Sequence, residues 1–222
     1  MEILTIPDVH AKDFWKLGKA WDGQIIFLGD YVDPYPFDFP NKQPDVIQTL
    51  IDIMQFADEN RDRVTLLIGN HDESYLRDLD ASRHDYQLAG KIREIYSDYL
   101  DLLYIAKQVD DTLFTHAGVA KGWLQYNNFE LPDKEADKVL NELYNASWSP
   151  FWQIGYIRGG MDPIGSPIWR DIREGDLDER FFQVYSHTRL DQPYVTNSEA
   201  CLDTGKACFV VNTITHEIEE FC

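Results

Sequence analysis

Short apolar segments alternate with amphipathic helical stretches through the first half of the chain, and this alternation restricts the fold more than any other feature. Four apolar runs are each followed closely by Gly, Asp, Asn or His, which indicates buried strands: residues 2–7, 24–28, 63–68 and 112–115. Between them, apolar residues spaced three and four apart predict helices over residues 45–58 and 86–103. Alternating strands and helices predict an α/β layered architecture.

The length of the chain, 222 residues with 44% hydrophobic side chains, suits one sizeable core and is short for two ordinary domains. We therefore expect a single domain over residues 1–222. Within it, residues 147–178 hold three tryptophans around a Gly/Pro-rich centre and predict a lid or substrate loop. Four closely spaced strands follow and predict that the sheet ends in an antiparallel or mixed part: residues 182–186, 194–196, 200–203 and 207–212.

Acidic residues dominate the charge of the chain. There are 39 Asp and Glu against 20 Lys and Arg, and the formal net charge is −19. Because phosphate backbones are held by clustered Lys and Arg, no long nucleic acid is expected as a partner. A single phosphate group could bind where bound cations reverse the local sign.

Several further features concern location and metal type. No apolar run approaches the roughly 18 residues that a membrane span needs, and Met1-Glu2-Ile3 begins neither a signal nor a transit peptide. We therefore expect a cytoplasmic location and no membrane partner. The three cysteines form no CxxC pair, which argues against a thiolate zinc site. The sequence does not indicate an oligomeric state.

Side chains that can bind a metal follow each early strand and one late strand. They are Asp8 and His10; Asp30 and Asp33; Asn70, His71 and Asp72; His116; and His187. Taken singly, Asp8 or Asp72 could merely cap a helix or a turn. A structural role does not explain why five strand ends share this chemistry. Because the carboxyl ends of strands line the binding crevice of open α/β sheets, these side chains are expected to converge.

Carboxylate, imidazole and carboxamide ligands without thiolates suit divalent ions of intermediate hardness. Manganese is the first expectation, and iron, zinc, nickel and cobalt are also compatible. The candidate ligands are too many for one four-coordinate site. Two ions about 3.5 to 4 Å apart that share a bridging carboxylate would use them naturally.

Six short motifs resemble a known family, and they span nearly the whole chain. They are DVH at 8–10, GDYVD at 29–33, GNHD at 69–72, THAG at 115–118, SHT at 186–188 and LDTG at 202–205. In this order they resemble the calcineurin-like metallophosphoesterases, in particular the serine/threonine phosphoprotein phosphatases and the diadenosine tetraphosphatase-like enzymes. The resemblance implies a layered β-sandwich with mixed sheets, flanked by helices.

The resemblance also implies a role for each metal-binding residue. Asp8 and His10 would hold the first metal and Asp30 would bridge, while the second metal would be held by Asn70, His116 and His187. The single His in SHT is similar to the phosphoprotein phosphatase branch, since Thr188 and Arg189 provide no second ligand there.

The implied reaction is hydrolysis of a phosphomonoester by hydroxide that two metals activate. His71 would protonate the leaving oxygen, and Asp33 would orient His71, although Asp33 could instead cap the turn before Pro34. Phosphoproteins, small phosphomonoesters and dinucleotides are the candidate substrates. The alternatives are a phosphodiesterase or dinucleoside polyphosphate hydrolase of the same superfamily and, less favoured, a non-catalytic metal-binding scaffold.

The chain departs from the family at Pro34. An Arg usually follows the second Asp of the GDxVDRG motif and grips the substrate phosphate, whereas Pro34 has neither charge nor donor. Arg158, in IRGG, resembles the second phosphate-contacting Arg of the family and is expected to take this contact. Arg170, in IWRD, is the second choice, and either could be an ordinary surface arginine. A minority of the aromatic residues could line a cleft and stack on a ring.

Overall fold

Two mixed β-sheets and the helices around them make up the fold in the computed structural model, which describes residues 1–79 and 81–221. The strands of the first sheet, in spatial order, are β11 (Ile218–Glu220), β10 (Phe209–Asn212), β1 (Glu2–Ile6), β2 (Gln24–Phe27), β3 (Val64–Leu67) and β4 (Leu103–Tyr104). Those of the second sheet are β5 (Ala106–Val109), β6 (Thr112–Thr115), β7 (Phe182–Tyr185), β9 (Glu199–Cys201) and β8 (Tyr194–Val195).

The helices lie mainly between the strands of the first half of the chain. They are α1 (Val46–Asp58), α2 (Asn70–Arg77), α3 (Ala89–Asp98), α4 (Lys121–Tyr126) and α5 (Ala136–Asn145). Short 3₁₀ turns cover Phe14–Ala20, Pro36–Asp38, Leu100–Leu102, Ser149–Trp152 and Tyr156–Arg158. In the described part of the chain, no helix is long and apolar enough to cross a membrane.

Successive residues of β1 and β2 face opposite layers. Leu4 and Phe27 pack in the larger core cluster, which includes residues of α1 and α3, whereas Ile3 and Ile26 pack against Phe114 of β6 in the core between the sheets. Both faces of these strands are therefore buried. This explains why the strands are continuously apolar instead of alternating with polar residues.

The predicted layered α/β architecture is confirmed, and the principal strands lie where the sequence predicts them. The prediction of one helix over residues 86–103 is wrong at its end, because α3 stops at Asp98 and the chain then forms a 3₁₀ turn and β4. The late strands also do not extend a single sheet. β10 and β11 pair antiparallel at the edge of the first sheet, while β7, β8 and β9 belong to the second.

Residues 147–178 pack on the body of the fold. Phe151, Ile168 and Leu177 are buried in this segment. Its Trp152 donates from Nε1 to the buried carboxylate of Glu73 on α2, at 2.9 Å. The segment is therefore anchored to the body of the fold at these positions, and its role as a lid or substrate loop stays a prediction.

Candidate active site

The site lies where strand ends of both sheets meet. β1, β2 and β3 of the first sheet lead to Asp8, Asp30 and Asn70, while β6 and β7 of the second lead to His116 and His187. All of these residues are buried, as are His10, Asp33 and His71. The structure thus brings together the eight residues that the sequence assigns to the metals and to proton transfer.

An unusual backbone conformation turns several of these side chains into the site. His10, Asp30, Asp33 and His187 have φ of 45°, 53°, 55° and 66°. This left-handed region costs residues other than Gly of order 1 to 3 kcal/mol, and such residues cluster at functional sites. The surrounding packing therefore holds four site residues in conformations that the chain would not adopt by itself.

The glycines of GDYVD and GNHD allow the second and third strand ends to approach each other. A Cβ on Gly29 would lie 2.5 Å from the backbone nitrogen of Gly69, and a Cβ on Gly69 would lie 2.2 Å from Oδ1 of Asp30. Neither position has room for a side chain. The close approach lets the backbone N–H of His71 donate to Oδ1 of Asp30 at 2.9 Å.

His116, His187, Asn70 and Asp30 form one group of candidate ligands. Nε2 of His116 lies 3.0 Å from Nδ1 of His187, 3.1 Å from Oδ1 of Asn70 and 3.7 Å from Oδ2 of Asp30. Nδ1 of His116 donates to the carbonyl oxygen of Leu28 at 2.8 Å, which leaves Nε2 with its lone pair facing the group. Adjacent ligand atoms of one ion stand roughly 3 to 3.5 Å apart when bond lengths are about 2.1 Å.

Asp8, His10 and Asp30 form a second group beside the first. Nε2 of His10 lies 3.6 Å from Oδ2 of Asp30 and 3.8 Å from Oδ2 of Asp8. Nδ1 of His10 donates to the carbonyl oxygen of Val32 at 2.8 Å, so Nε2 again faces the carboxylates. Oδ2 of Asp30 is shared between both groups.

The electrostatics of these groups match the needs of a divalent cation. Burial lowers the pKa of His10, His116 and His187, so the rings are neutral and their lone pairs can bind a metal. Burial and the neighbouring charge of Asp8 raise the pKa of Asp30. Nε2 of His187 is buried without a hydrogen-bond partner among the residues described. Clustered buried carboxylates and an unpaired imidazole nitrogen fit divalent cations better than they fit a metal-free core.

Metal binding is therefore expected to stabilise the fold. Removing divalent ions with a chelator should lower Tm, and adding back manganese at about a hundred times its Kd should raise it by about 5 to 10 °C, since the cations neutralise the buried carboxylates. Differential scanning calorimetry with and without manganese measures this. A Tm that manganese does not change would contradict the fit of these residues to a metal.

His71 and Asp33 form a pair next to the candidate ligands. Nδ1 of His71 donates to Oδ2 of Asp33 at 2.7 Å, and the hydroxyl of Tyr75 donates to the other carboxylate oxygen at 2.5 Å. Both oxygens of Asp33 are thus occupied, which fixes the carboxylate. Because Asp33 holds Nδ1, the other ring nitrogen of His71 points to the cavity, where His71 is one of the lining residues.

Asp72 has a structural role, in line with the sequence, which allows this residue as a possible cap of a helix or a turn. Its carboxylate accepts hydrogen bonds from the backbone N–H groups of Gly69, Asp30 and Tyr31 and from the hydroxyl of Tyr96. Burial raises the pKa of Asp72 to about 7. Asp72 therefore joins the second strand end to the start of α2 and does not face the metal-binding groups.

A cavity of about 300 Å³ opens beside the metal-binding groups. Its wall is formed by Asp30, Tyr35, Asn70, His71, Ser82, Arg83, Ile157, Arg158, Trp169 and His187. The sequence-predicted Arg158 is among them. Its Nε lies 3.0 Å from Oδ2 of Asp171, and its Nη2 donates to Oγ1 of Thr188 at 2.7 Å.

Arg170, the second arginine proposed from the sequence, has a structural position. Its side chain is buried and is not part of the cavity wall. Its guanidinium donates to the carbonyl oxygens of Glu174 and Gly175 at 3.2 and 3.0 Å. We therefore do not retain Arg170 as a substrate contact, because its donors already bond to backbone carbonyl groups of the 147–178 segment.

Sequence reasoning missed Arg83, which lines the cavity from the segment between α2 and α3. Its Nη2 lies 3.1 Å from Nε2 of His71. No motif surrounds Arg83, so the sequence carried no signal for it. Tyr35 and Trp169 are the aromatic residues of the wall, in line with the expectation that a minority of the aromatics face a cleft.

A two-sheet α/β protein with buried carboxylates and neutral imidazoles at the meeting strand ends has the architecture of a metal-dependent hydrolase. Comparison with protein families makes this specific: the family model of calcineurin-like phosphoesterases matches residues 1–188, and the chain belongs to this family. The family is metal-dependent, usually with two divalent ions, and acts on phosphorylated substrates. A comparison with curated proteins gives no match.

Solved structures agree with the fold. A cold-active protein tyrosine phosphatase has a TM-score of 0.62 at 17% identity, covering 99% of this chain and 78% of its own. The cold-active protein-tyrosine phosphatase of a psychrophilic Shewanella species has a TM-score of 0.59 at 18% identity, covering 100% and 80%. At these identities the likeness concerns the fold alone.

Proposed function

We propose that this chain is a metallophosphatase that hydrolyses phosphomonoesters and holds two divalent cations, manganese in the first instance. Asp8 and His10 would hold one cation, Asn70, His116 and His187 the other, and Asp30 would bridge them. The observation that carries the proposal is the position of Oδ2 of Asp30, which lies 3.6 Å from Nε2 of His10 and 3.7 Å from Nε2 of His116. One carboxylate oxygen faces both ligand groups.

When bound, two divalent cations supply an activated water at neutral pH and neutralise the phosphoryl oxygens. The remaining task is to protonate the leaving oxygen, which otherwise departs as a poor alkoxide. His71 can do this only as the imidazolium, whose Nε2–H lies at the cavity. The N–H of Arg83 from which Nε2 accepts in the neutral ring, at 3.1 Å, would then turn away from Nε2. Asp33 acts on His71 through the bond to Nδ1, which sets the ring orientation and stabilises the imidazolium form.

The cavity favours a monoester over a diester. A phosphomonoester carries more negative charge than a diester, and Arg83 and Arg158 both stand in the wall. Residues 147–178 contribute Ile157, Arg158 and Trp169 to this wall, so we assign that segment to substrate binding.

A substrate screen with the manganese-loaded protein tests this function. Turnover of p-nitrophenyl phosphate should exceed that of bis(p-nitrophenyl) phosphate by about tenfold or more, because the monoester carries the greater negative charge toward the two arginines of the wall. Phosphoserine, phosphothreonine and phosphotyrosine peptides, sugar phosphates and a dinucleoside tetraphosphate form the second part of the screen. The phosphotyrosine peptide is included because two structures with the same fold carry that activity in their names.

The control for the screen is the same protein after chelation, which should be inactive toward every ester. Faster turnover of the diester than of the monoester would replace the proposal with a phosphodiesterase. Preference for the dinucleoside tetraphosphate over all monoesters would indicate a dinucleoside polyphosphate hydrolase. Absence of turnover with all of these compounds would leave a metal-binding scaffold.

A further inference from the structure

Arg83 is positioned by contacts to Nε and Nη2 of its guanidinium. Its Nε donates to the carbonyl oxygen of Asp33 at 3.0 Å, and its Nη2 lies 3.1 Å from Nε2 of His71. Nη1 takes no part in either contact. The guanidinium therefore lies beside the ring nitrogen that faces the leaving group in the proposed reaction, at the wall of the same cavity.

The ring of Tyr35 packs against the guanidinium of Arg83. The central carbon of the guanidinium lies 3.6 Å from the centroid of the Tyr35 ring, and that ring is edge-on to His10 with centroids 4.9 Å apart. Stacking on an aromatic face holds a guanidinium flat while its edge stays available for hydrogen bonds. The segment that carries Pro34 in place of an arginine thus provides the platform for an arginine from elsewhere in the chain.

Arg83 and Arg158 also differ in whether a carboxylate pairs with their charge. Arg158 is paired with the carboxylate of Asp171 at 3.0 Å. Among the residues that the structure describes, Arg83 has no carboxylate oxygen within ion-pair distance, and its Nε is bonded to a backbone carbonyl instead. A partly buried cation that has no anionic partner among residues 1–79 and 81–221, at the wall of a cavity, matches an anionic ligand.

We propose that Arg83 binds the phosphoryl oxygens of the substrate and replaces the contact that Pro34 cannot make. This inference rests on the proposed function for the identity of the ligand as a phosphoryl group. Nη1 and the second N–H of Nη2 lie outside the contacts that position the guanidinium, and together they can donate to two oxygens of one phosphoryl group. Arg158 faces the same cavity from the 147–178 segment, so the phosphoryl group would lie between two arginines that come from different parts of the chain.

Inorganic phosphate is the probe that tests Arg83 without relying on turnover. Isothermal titration calorimetry on manganese-loaded protein should show that Arg83→Ala raises the Kd of phosphate about 10- to 100-fold. Arg83→Lys keeps the charge but loses the fork, and its Kd should lie between those of wild type and Arg83→Ala. Arg61→Ala is the matched control, since Arg61 is an exposed arginine paired with Asp58 and Asp101.

Further measurements separate binding from structure. Tm and manganese content should stay close to wild type in Arg83→Ala and Arg83→Lys, and KM for p-nitrophenyl phosphate should rise with the Kd of phosphate. A Kd within twofold of wild type in both variants would overturn the inference. A lowered Tm with unchanged phosphate affinity would also overturn it, because it would give Arg83 a structural role only.

The outcomes for Arg83 and for the proposed function can be told apart. If wild-type protein hydrolyses monoesters and Arg83→Ala binds phosphate normally, the function stands and the inference on Arg83 fails. If wild-type protein hydrolyses no ester but binds phosphate in an Arg83-dependent way, the inference stands and the function fails. Arg158→Ala, measured in parallel, shows whether the second arginine of the wall contributes to the same affinity.

Discussion

Replacing His71 with Asn is expected to lower kcat for an alkyl phosphate by about 10²- to 10⁴-fold while manganese content and Tm stay near those of wild type. The side chain of His71 is not one of the candidate ligands. Its contact with Asp30 runs through the backbone N–H, which Asn retains. The substitution therefore removes the proton donor and leaves the metal-binding groups in place.

The dependence on the leaving group identifies the role of His71. An alkoxide needs a proton to depart, whereas p-nitrophenolate is a stable anion and needs little help. The loss of kcat should therefore be much smaller for p-nitrophenyl phosphate than for the alkyl ester. His216→Asn is the control, because His216 lies outside the site, with Nε2 3.0 Å from Asp111 and its ring stacked on Phe182. Equal losses for both esters, or an unchanged rate for the alkyl ester, would remove His71 from proton transfer.

The sequence predicts the individual strand ends of this site better than it predicts how they meet. Each strand is a local apolar run, and each polar side chain follows directly, so short-range pattern suffices. The expectation of convergence assumed one open sheet. In the structure, His116 and His187 belong to a second sheet, because β6 pairs with β7 and not with the strands around β1. Pairing between strands so distant along the chain has no local signature.

Helix α2 shows a second limit of sequence patterns. It begins at Asn70, inside the GNHD motif, and six of its eight residues are buried. These six include the polar side chains His71, Asp72 and Glu73, so no apolar stripe marks the helix. The burial is possible because partners from other elements satisfy the polar groups, such as the amide groups that Asp72 accepts from. A helix that carries buried polar site residues is therefore not predicted by the spacing of apolar residues.

The arginines show a third limit. The sequence offers Arg158 as the first and Arg170 as the second candidate for the substrate contact, both in one segment rich in Gly and Pro. The structure separates them, because the guanidinium of Arg170 is enclosed by carbonyl oxygens whereas that of Arg158 reaches the cavity. Arg83 lay in no motif at all, and its position depends on Tyr35, 48 residues earlier in the chain. Contacts of this kind arise from tertiary packing, which composition and spacing do not encode.

Replacing Asp30 with Asn is expected to remove most manganese binding and to reduce turnover of p-nitrophenyl phosphate by more than about 10³-fold. Oδ2 of Asp30 is the oxygen that both ligand groups share, and Oδ1 is occupied by the N–H of His71. Asn keeps the size of the side chain and an oxygen for His71, but then turns an amide group toward the cations. Elemental analysis after manganese loading should fall from two ions per chain to one or fewer.

The same substitution should have the opposite effect on the metal-free fold. In metal-free protein the carboxylate of Asp30 is buried and faces the negative charge of Asp8, a cost that also raises the pKa of Asp30. Asn carries no charge, so metal-free Asp30→Asn should melt at a higher temperature than metal-free wild type and should gain little from manganese. Asp45→Asn is the matched control, since Asp45 caps α1 on the surface by accepting from the N–H of Gln48, and Asn caps equally well. Wild-type manganese content in Asp30→Asn would exclude Asp30 as the bridge. A lower Tm of metal-free Asp30→Asn than of metal-free wild type would show that the Asp30 carboxylate stabilises the fold without a metal.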